Sequence, residues 1–181
     1  MDKLNRDQLA ALWQGILSHT GRPQEVFGEF SDRLLVCPEG HVDQLPHPGY
    51  VGRNYHRGGL LFLAMNPGNG TQGPDPGQEP HYAGLRRLKE TSPLARREAF
   101  DALMSYDETW HPQIRIMNVV VKPVMEGVGC GHDSIAYMNV LKWRTKDSGR
   151  LAPLYKISMK AHTLGQLEAL DPVSSCSSVW V

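Results

Sequence analysis

The feature that most constrains the fold is an unbroken apolar run that ends at a turn. Residues 60–65 are all apolar, which is typical of a β-strand buried on both faces of a parallel sheet. The run stops at Asn66-Pro67-Gly68, and the segment that follows, up to Pro80, is too rich in Gly and Pro to sustain a helix or a strand. We therefore expect a central strand over residues 59–65, with a functional loop at its carboxyl end.

Helical and strand patterns alternate along the chain. The spacing of apolar residues, with Gly and Pro as stop signals, predicts helices over residues 6–19, 84–105 (interrupted at Ser92-Pro93), 112–126 and 160–170, and a second strand over residues 134–140. Residues 28–59 are expected to be irregular, with one hairpin at most. This order predicts an α/β fold of three layers, α/β/α, around a central, mainly parallel sheet. Such sheets bind ligands outside the carboxyl ends of their strands.

Size, charge and cysteine content limit the architecture and the partners. A chain of 181 residues suits a single domain, here residues 1–181. Lys plus Arg and Asp plus Glu both number 19, so any contact with DNA must come from a local basic patch. The charged N-terminus and the lack of an apolar run of about 20 residues predict a soluble protein that is not exported and has no membrane partner. The odd number of widely spaced cysteines favours a cytoplasmic location, and a monomer is expected. Cys37, Cys130 and Cys176 are expected to be reduced thiols, with no iron–sulfur cluster.

Three segments, taken in order along the chain, match one known pattern. The run 60–68 resembles motif A of the uracil-DNA glycosylase superfamily, in the Asn-Pro-Gly version typical of its mismatch-specific and single-strand-selective branches. Residues 135–145 are similar to the middle strand of that superfamily, in which an Asn precedes an apolar residue and a basic stretch. Residues 163–172 resemble the helix that ends in Pro before the next strand. The resemblance covers residues 50–172 and implies a uracil-DNA glycosylase-like fold.

The resemblance implies a DNA-repair enzyme acting on DNA that contains uracil or a damaged base. Such an enzyme hydrolyses the N-glycosidic bond of uracil, or of a related damaged or mismatched base, after flipping it out of the DNA. Asn66 would be the catalytic residue, and it could only orient the attacking water, because an amide is not a general base. Asn139 would bind the base, accepting a hydrogen bond from uracil N3–H and donating one to O4. No cofactor or metal is implied.

Other substrate-binding residues follow from the same resemblance. Met65, Pro67 and Gly68 would line the base pocket, since the Pro-Gly turn lets backbone amides approach a ligand closely. The superfamily places a Phe shortly after motif A to stack on the base, and here Tyr82 or His81 is the nearest substitute. Each motif also has a plain alternative: Asn-Pro-Gly is an ordinary turn, Asn139 could cap the end of a strand, and Tyr82 could be a surface residue.

A basic stretch follows the second predicted strand. Four cations lie within nine residues, and they are predicted to contact the phosphates of DNA: Lys142, Arg144, Lys146 and Arg150. A solvated basic loop is the alternative. Residues 53–56, just before the first strand, are expected to line the same mouth.

The last motif of the superfamily has no counterpart here. It stabilises the departing base, and after Pro172 this sequence has only a Ser-rich tail that ends in Val-Trp-Val. A truncated or frame-shifted product is therefore one expectation, and a catalytically inactive nucleic-acid-binding protein of the same fold is the main alternative to an active enzyme. A metal-dependent hydrolase is the remaining alternative, because seven histidines are scattered beyond residue 40 and Cys37 lies near His41, although no zinc-type spacing is present.

Overall fold

The computed structural model describes residues 4–34, 45–65, 79–113, 115–146 and 151–171. Within these ranges the chain forms a small sheet with helices packed around it. The predicted site residues Asn66, Pro67, Gly68 and Arg150, and the tail from residue 172, lie outside the described residues.

The sheet contains three strands, β1 (Tyr50–Val51), β2 (Leu60–Ala64) and β3 (Ile135–Asn139), in the order β1-β3-β2. Strands β2 and β3 run parallel, as expected, with Leu60 paired to Ile135 and Ala64 to Asn139. Strand β1 runs antiparallel to β3, so the sheet is mixed. Among the described residues β3 is the central strand and β2 lies at an edge, which corrects the expectation that residues 59–65 form the central strand.

Every residue of β3 is buried, and four of the five residues of β2 are buried. A strand reaches this state only when both faces of its sheet are covered. The uninterrupted apolar pattern of both segments is the sequence cause of this burial, because strand residues point alternately to the two faces.

Seven α-helices surround the sheet in the described part of the chain. They are α1 (Arg6–Leu17), α2 (Gln24–Phe27), α3 (Glu79–Glu90), α4 (Arg96–Trp110), α5 (Lys122–Val128), α6 (Ala152–Ser158) and α7 (Leu164–Leu170). Helices α1, α3 and α4 pack against one another, and α1 also contacts α7. The predicted first helix is confirmed, and the predicted break at Ser92-Pro93 separates α3 from α4. None of these helices combines the length and apolar character needed to cross a bilayer.

Two helical regions contain a wider, π-type turn. Met117–Val121 leads into α5, which ends at Gly129 in the left-handed conformation, so the helix expected over residues 112–126 is found slightly later in the chain. Met159–Thr163 joins α6 to α7, so the last helical region begins at Ala152, earlier than residue 160. The Pro at the start of α6 is compatible with a first helical turn, where no backbone N–H is required.

The irregular lead-in forms no hairpin among its described residues. A short 3-10 helix, Gly28–Arg33, follows α2, and Leu34 then pairs with Thr145, beyond the end of β3. Strand β1 also pairs with β3 instead of with a neighbour in sequence. The predicted α/β class is confirmed as a mixed α/β arrangement.

Candidate functional site

The carboxyl ends of β2 and β3 meet at one edge of the sheet. The pairing continues beyond the strands, because the Val140 N–H donates to the Ala64 carbonyl at 2.8 Å and the Leu141 N–H donates to the Met65 carbonyl at 2.9 Å. Met65 and the end of β3 are thus brought together, as the parallel arrangement requires. Asn66 follows Met65 directly in sequence.

Asn139 ends β3 at this edge and carries a buried amide. The residue is 6 % exposed, and its side-chain oxygen Oδ1 has no hydrogen-bond partner among the described residues. A buried acceptor without a partner costs about 1–3 kcal/mol. An amide retained at that cost is a candidate for binding a ligand that supplies a donor.

His47, in the segment before β1, connects helix α3 with the same edge of the sheet. The His47 N–H donates to the Lys142 carbonyl at 2.7 Å, which holds His47 just beyond the end of β3. The His47 ring lies 5.7 Å from the His81 ring, nearly parallel to it, and 5.8 Å from the Tyr82 ring, edge to face. Tyr82 is buried, so it is not the surface residue of the alternative interpretation. Its role in stacking on a base stays a prediction.

His81 is paired with a buried carboxylate that the sequence reasoning missed. Nδ1 of His81 lies 2.7 Å from Oδ1 of Asp107, and the two side chains are 11 % and 2 % exposed. The Trp110 ring lies 5.3 Å from the His81 ring at an angle of 23°. Burial raises the pKa of Asp107, and the attraction of His81 opposes that shift.

The sequence did contain a signal for Asp107. Buried residues on α4 recur as Phe100, Leu103, Met104 and Asp107, which is the spacing of one helix face. A carboxylate in the last of these positions must point into the interior, where it requires a partner. The partner is 26 residues earlier in the chain, so helical spacing alone could not identify it.

Further histidine and tyrosine rings lie along the sheet, beyond the His81–Asp107 pair. His111 lies 5.2 Å from the rings of both Tyr50 and Tyr137, and His132 stacks on Tyr50 at 4.7 Å. Burial, together with the neighbouring His132 and His81, lowers the pKa of His111 to about 3. Burial also lowers the pKa of His132 and raises that of Tyr137 to about 12. These rings are therefore neutral near pH 7.

The basic stretch after β3 is divided between interior and surface. Lys142 is fully buried, with Nζ donating to the Asn139 carbonyl at 2.5 Å, so the expectation that it contacts phosphates is wrong for this arrangement. The apolar residues on both sides, Leu141 and Trp143, are buried with it. Arg144 is half-buried and Lys146 is exposed.

Arg144 is close enough to the site to act on it electrostatically. Burial is the main cause that lowers the pKa of His47, and the charges of His81, Arg144 and His111 add to this effect. Arg144 thus brings a charge of the basic stretch close to His47, which is bonded to the backbone just beyond the end of β3.

The segment 53–56 lies elsewhere, which corrects the expectation that it lines the same mouth. The Asn54 amide donates to the Asp133 carboxylate at 2.6 Å, and Asp133 precedes β3. Arg53 pairs with Glu108 at 3.1 Å, and Tyr55 is buried. This segment is therefore at the amino end of β3, opposite to the candidate site.

The described ranges contain no group of three or more His, Cys, Asp or Glu residues arranged to hold a metal ion. Cys37 and His41, the residues on which the metal-hydrolase alternative depended, lie outside them.

Comparisons with known proteins assign neither a family nor a function to the chain. No protein-family model matches the chain, and neither the curated proteins nor the solved structures contain a significant match.

Proposed function

We propose that the protein is a DNA-repair hydrolase of the uracil-DNA glycosylase type, cleaving the N-glycosidic bond of uracil or a related base flipped out of DNA. The observation that carries this proposal is the buried Asn139 Oδ1, which has no partner among the described residues. The N3–H of uracil is a donor of the required kind, and the amide nitrogen of Asn139 would donate to O4. Cytosine lacks the N3–H and would leave the acceptor unpaired.

The position of Asn139 supports the proposal. It is paired with Ala64, which belongs to the run 60–68 that resembles motif A and precedes Asn66 by two residues. Ligands of parallel sheets bind at this edge. Asn66 would then orient the attacking water beside the base that Asn139 holds. Of the residues that the structure describes, Met65 and Tyr82 would line the pocket, with Pro67 and Gly68 completing it.

Cations close to this edge support DNA as the partner. Arg144 acts on His47, and Lys146 is exposed, with its N–H bound to the Arg33 carbonyl at 3.0 Å. These side chains would hold the phosphates beside the flipped nucleotide, with Arg150 as a further candidate. The same proposal includes a three-layer uracil-DNA glycosylase-like fold, a cytoplasmic location and a monomeric state.

The test is single-turnover excision on an oligonucleotide with one uracil, either single-stranded or opposite guanine. We expect Asn139→Ala to lower excision by about 10²–10³, the usual effect of removing one preorganised active-site contact, and to weaken discrimination between uracil and cytosine. Asn66→Ala should lower excision more than binding. Asn118→Ala is the control, since Asn118 is exposed and its amide donates to the Pro112 carbonyl in its own segment.

Each outcome separates the alternatives. Product formation that is lost in Asn139→Ala supports the glycosylase. Binding of the oligonucleotide without product would indicate an inactive glycosylase-fold protein, and an Asn139→Ala variant with full activity and discrimination would overturn the assignment of that residue.

A further inference from the structure

The His81–Asp107 pair differs from the other histidine–carboxylate contact in the described chain. His19 and Glu25 lie 3.6 Å apart, with side chains 31 % and 43 % exposed, whereas His81 and Asp107 are 2.7 Å apart and almost fully buried. An exposed contact of this kind contributes little to stability. A buried carboxylate in hydrogen-bond contact with an imidazole fixes the ring in one orientation and one tautomer.

The tautomer follows from the chemistry of the partner. An ionised Asp107 carboxylate can only accept a hydrogen bond, so its Oδ1, 2.7 Å from Nδ1 of His81, requires the ring proton on Nδ1 and leaves the lone pair of the neutral ring on Nε2. The rings of Trp110 and His47 lie nearly parallel to the His81 ring, at 23° and 10°, and limit its rotation. This is an arrangement of base and orienting carboxylate that can accept a proton at a defined atom.

The pair is located at the candidate site. His81 is in the first turn of α3, and the segment that links α3 to β2 begins at Asn66. His47, which stacks on His81, is bonded to Lys142, whose amine is in turn bonded to the Asn139 carbonyl. A chain of direct contacts therefore connects the imidazole with the end of β3.

We infer that His81 is the general base that activates the attacking water, with Asp107 as its positioning residue; the inference rests on the proposed glycosylase function. Such a group would speed the attack, because the Asn66 amide can orient a water molecule but cannot accept its proton. A catalytic pair of this type was not indicated by motif A, which supplies only the amide.

The proton and electron balance is complete without a further reactant. Nε2 of His81 takes a proton from water while the water oxygen forms a bond to C1′ of the sugar. The C1′–N1 bond breaks, and its electron pair leaves with the base as an anion. The imidazolium then returns the proton to the departing base or to solvent.

The charged and titratable groups that face His81 come from several elements. Asp107 is on α4, His111 is in the turn after it, His47 precedes β1, and Arg144, beside His47, follows β3. The lowered pKa values of His47 and His111 keep both rings neutral near pH 7. Excision should fall toward acid pH if protonation blocks the proposed base, and this fall is called the acid limb.

The experiment measures single-turnover excision against pH, and binding of the same oligonucleotide, in wild type, His81→Gln and Asp107→Asn. We expect His81→Gln to lower excision by about 10²–10⁴, the usual contribution of a general base, to leave binding unchanged and to remove the acid limb. Asp107→Asn should lower the rate as well, because it no longer fixes the tautomer. His19→Gln is the matched control and should retain the wild-type rate and profile.

A measurement on the wild-type protein covers the case in which a variant does not fold. Nitrogen NMR of the histidine rings should show His81 as the Nδ1–H tautomer, with a titration that coincides with the acid limb of excision. An Nε2–H tautomer, a titration separate from that limb, or a folded His81→Gln variant with full rate would overturn the base role and leave the glycosylase intact. A wild-type protein without excision on either oligonucleotide would overturn both.

Discussion

Lys142 has its charged group in the interior. The residue is fully buried, and Nζ donates to the Asn139 carbonyl and to the Met138 sulfur, with no ion pair to Lys142 among the described residues. Burial lowers its pKa well below the ordinary value of 10.5. Burial without an ion pair favours the neutral amine, so the folded chain holds this proton less tightly than the unfolded chain.

The lowered pKa of Lys142 predicts how the stability of the fold depends on pH. Between the lowered folded pKa and the unfolded value of 10.5, the unfolded state holds one more proton, so the free energy of unfolding should rise with pH by about 1.4 kcal/mol per unit. Lys142→Met should remove that contribution, which is measured by urea unfolding between pH 7 and 9. Lys146→Met, at an exposed position, should keep the wild-type slope. Equal slopes in wild type and Lys142→Met would show that the buried amine is charged.

At the scale of elements, the shortest strand depends on a close approach of two backbones. Gly49 precedes β1 with φ of 118°, and a Cβ there would lie 2.5 Å from the Tyr137 carbonyl oxygen and 2.7 Å from the Met138 Cβ. The Gly49 carbonyl also accepts the indole N–H of Trp13 at 2.9 Å, which connects α1 to the sheet. Only glycine combines this φ with this contact at low energy.

Substitution of Gly49 should therefore disturb the pairing of β1 with β3. Gly49→Ala is expected to lower the free energy of unfolding by about 1–3 kcal/mol or more, from backbone strain and overlap with β3. Gly15→Ala is the matched control, because Gly15 is inside α1 with open space around it, and alanine should be neutral or stabilise the helix by up to about 1 kcal/mol. The free energies of unfolding of both variants are measured by denaturant unfolding. Equal values would contradict the close approach of the Gly49 backbone to β3.

At the scale of the whole molecule, the core contains neutral imidazoles. Burial lowers the pKa of His111 to about 3 and that of His162 to about 4, and it lowers the pKa values of His47 and His132 as well. Each histidine is neutral when folded and takes up a proton in the unfolded chain below the ordinary value of 6.5. Stability is therefore complete above pH 6.5 and is lost as the pH falls toward the folded pKa values.

The fold should accordingly be sensitive to mild acid. Each buried histidine contributes a slope of about 1.4 kcal/mol per pH unit below its unfolded pKa, so thermal unfolding should show a clear decrease in Tm from pH 7 to pH 5. His111→Gln should make this decrease shallower, whereas His56→Gln, at a half-buried position, should change it less. A Tm that is constant over this range would mean that the buried rings take up protons in the folded protein as readily as in the unfolded chain.

The parts of the fold that the sequence predicted are those set by local pattern. Strand β2 and helix α1 follow from apolar periodicity and from Gly or Pro at their ends, and the break between α3 and α4 follows from Ser92-Pro93. Asn139 was identifiable as a candidate because it ends an apolar strand at a position where ligands bind. Its burial, and the unpartnered oxygen, could not be read from its neighbours in sequence.

The sequence by itself determined the α/β class, the parallel pairing of β2 and β3 and the edge at which their candidate site residues lie, because periodicity and chain order act over short distances. Only the tertiary structure decided that Lys142 is interior, that β1 pairs with β3 and that His81 meets Asp107. Each of these depends on which distant segment covers a given side chain. A polar residue has the same local pattern whether it faces water or a partner, and packing alone makes that choice.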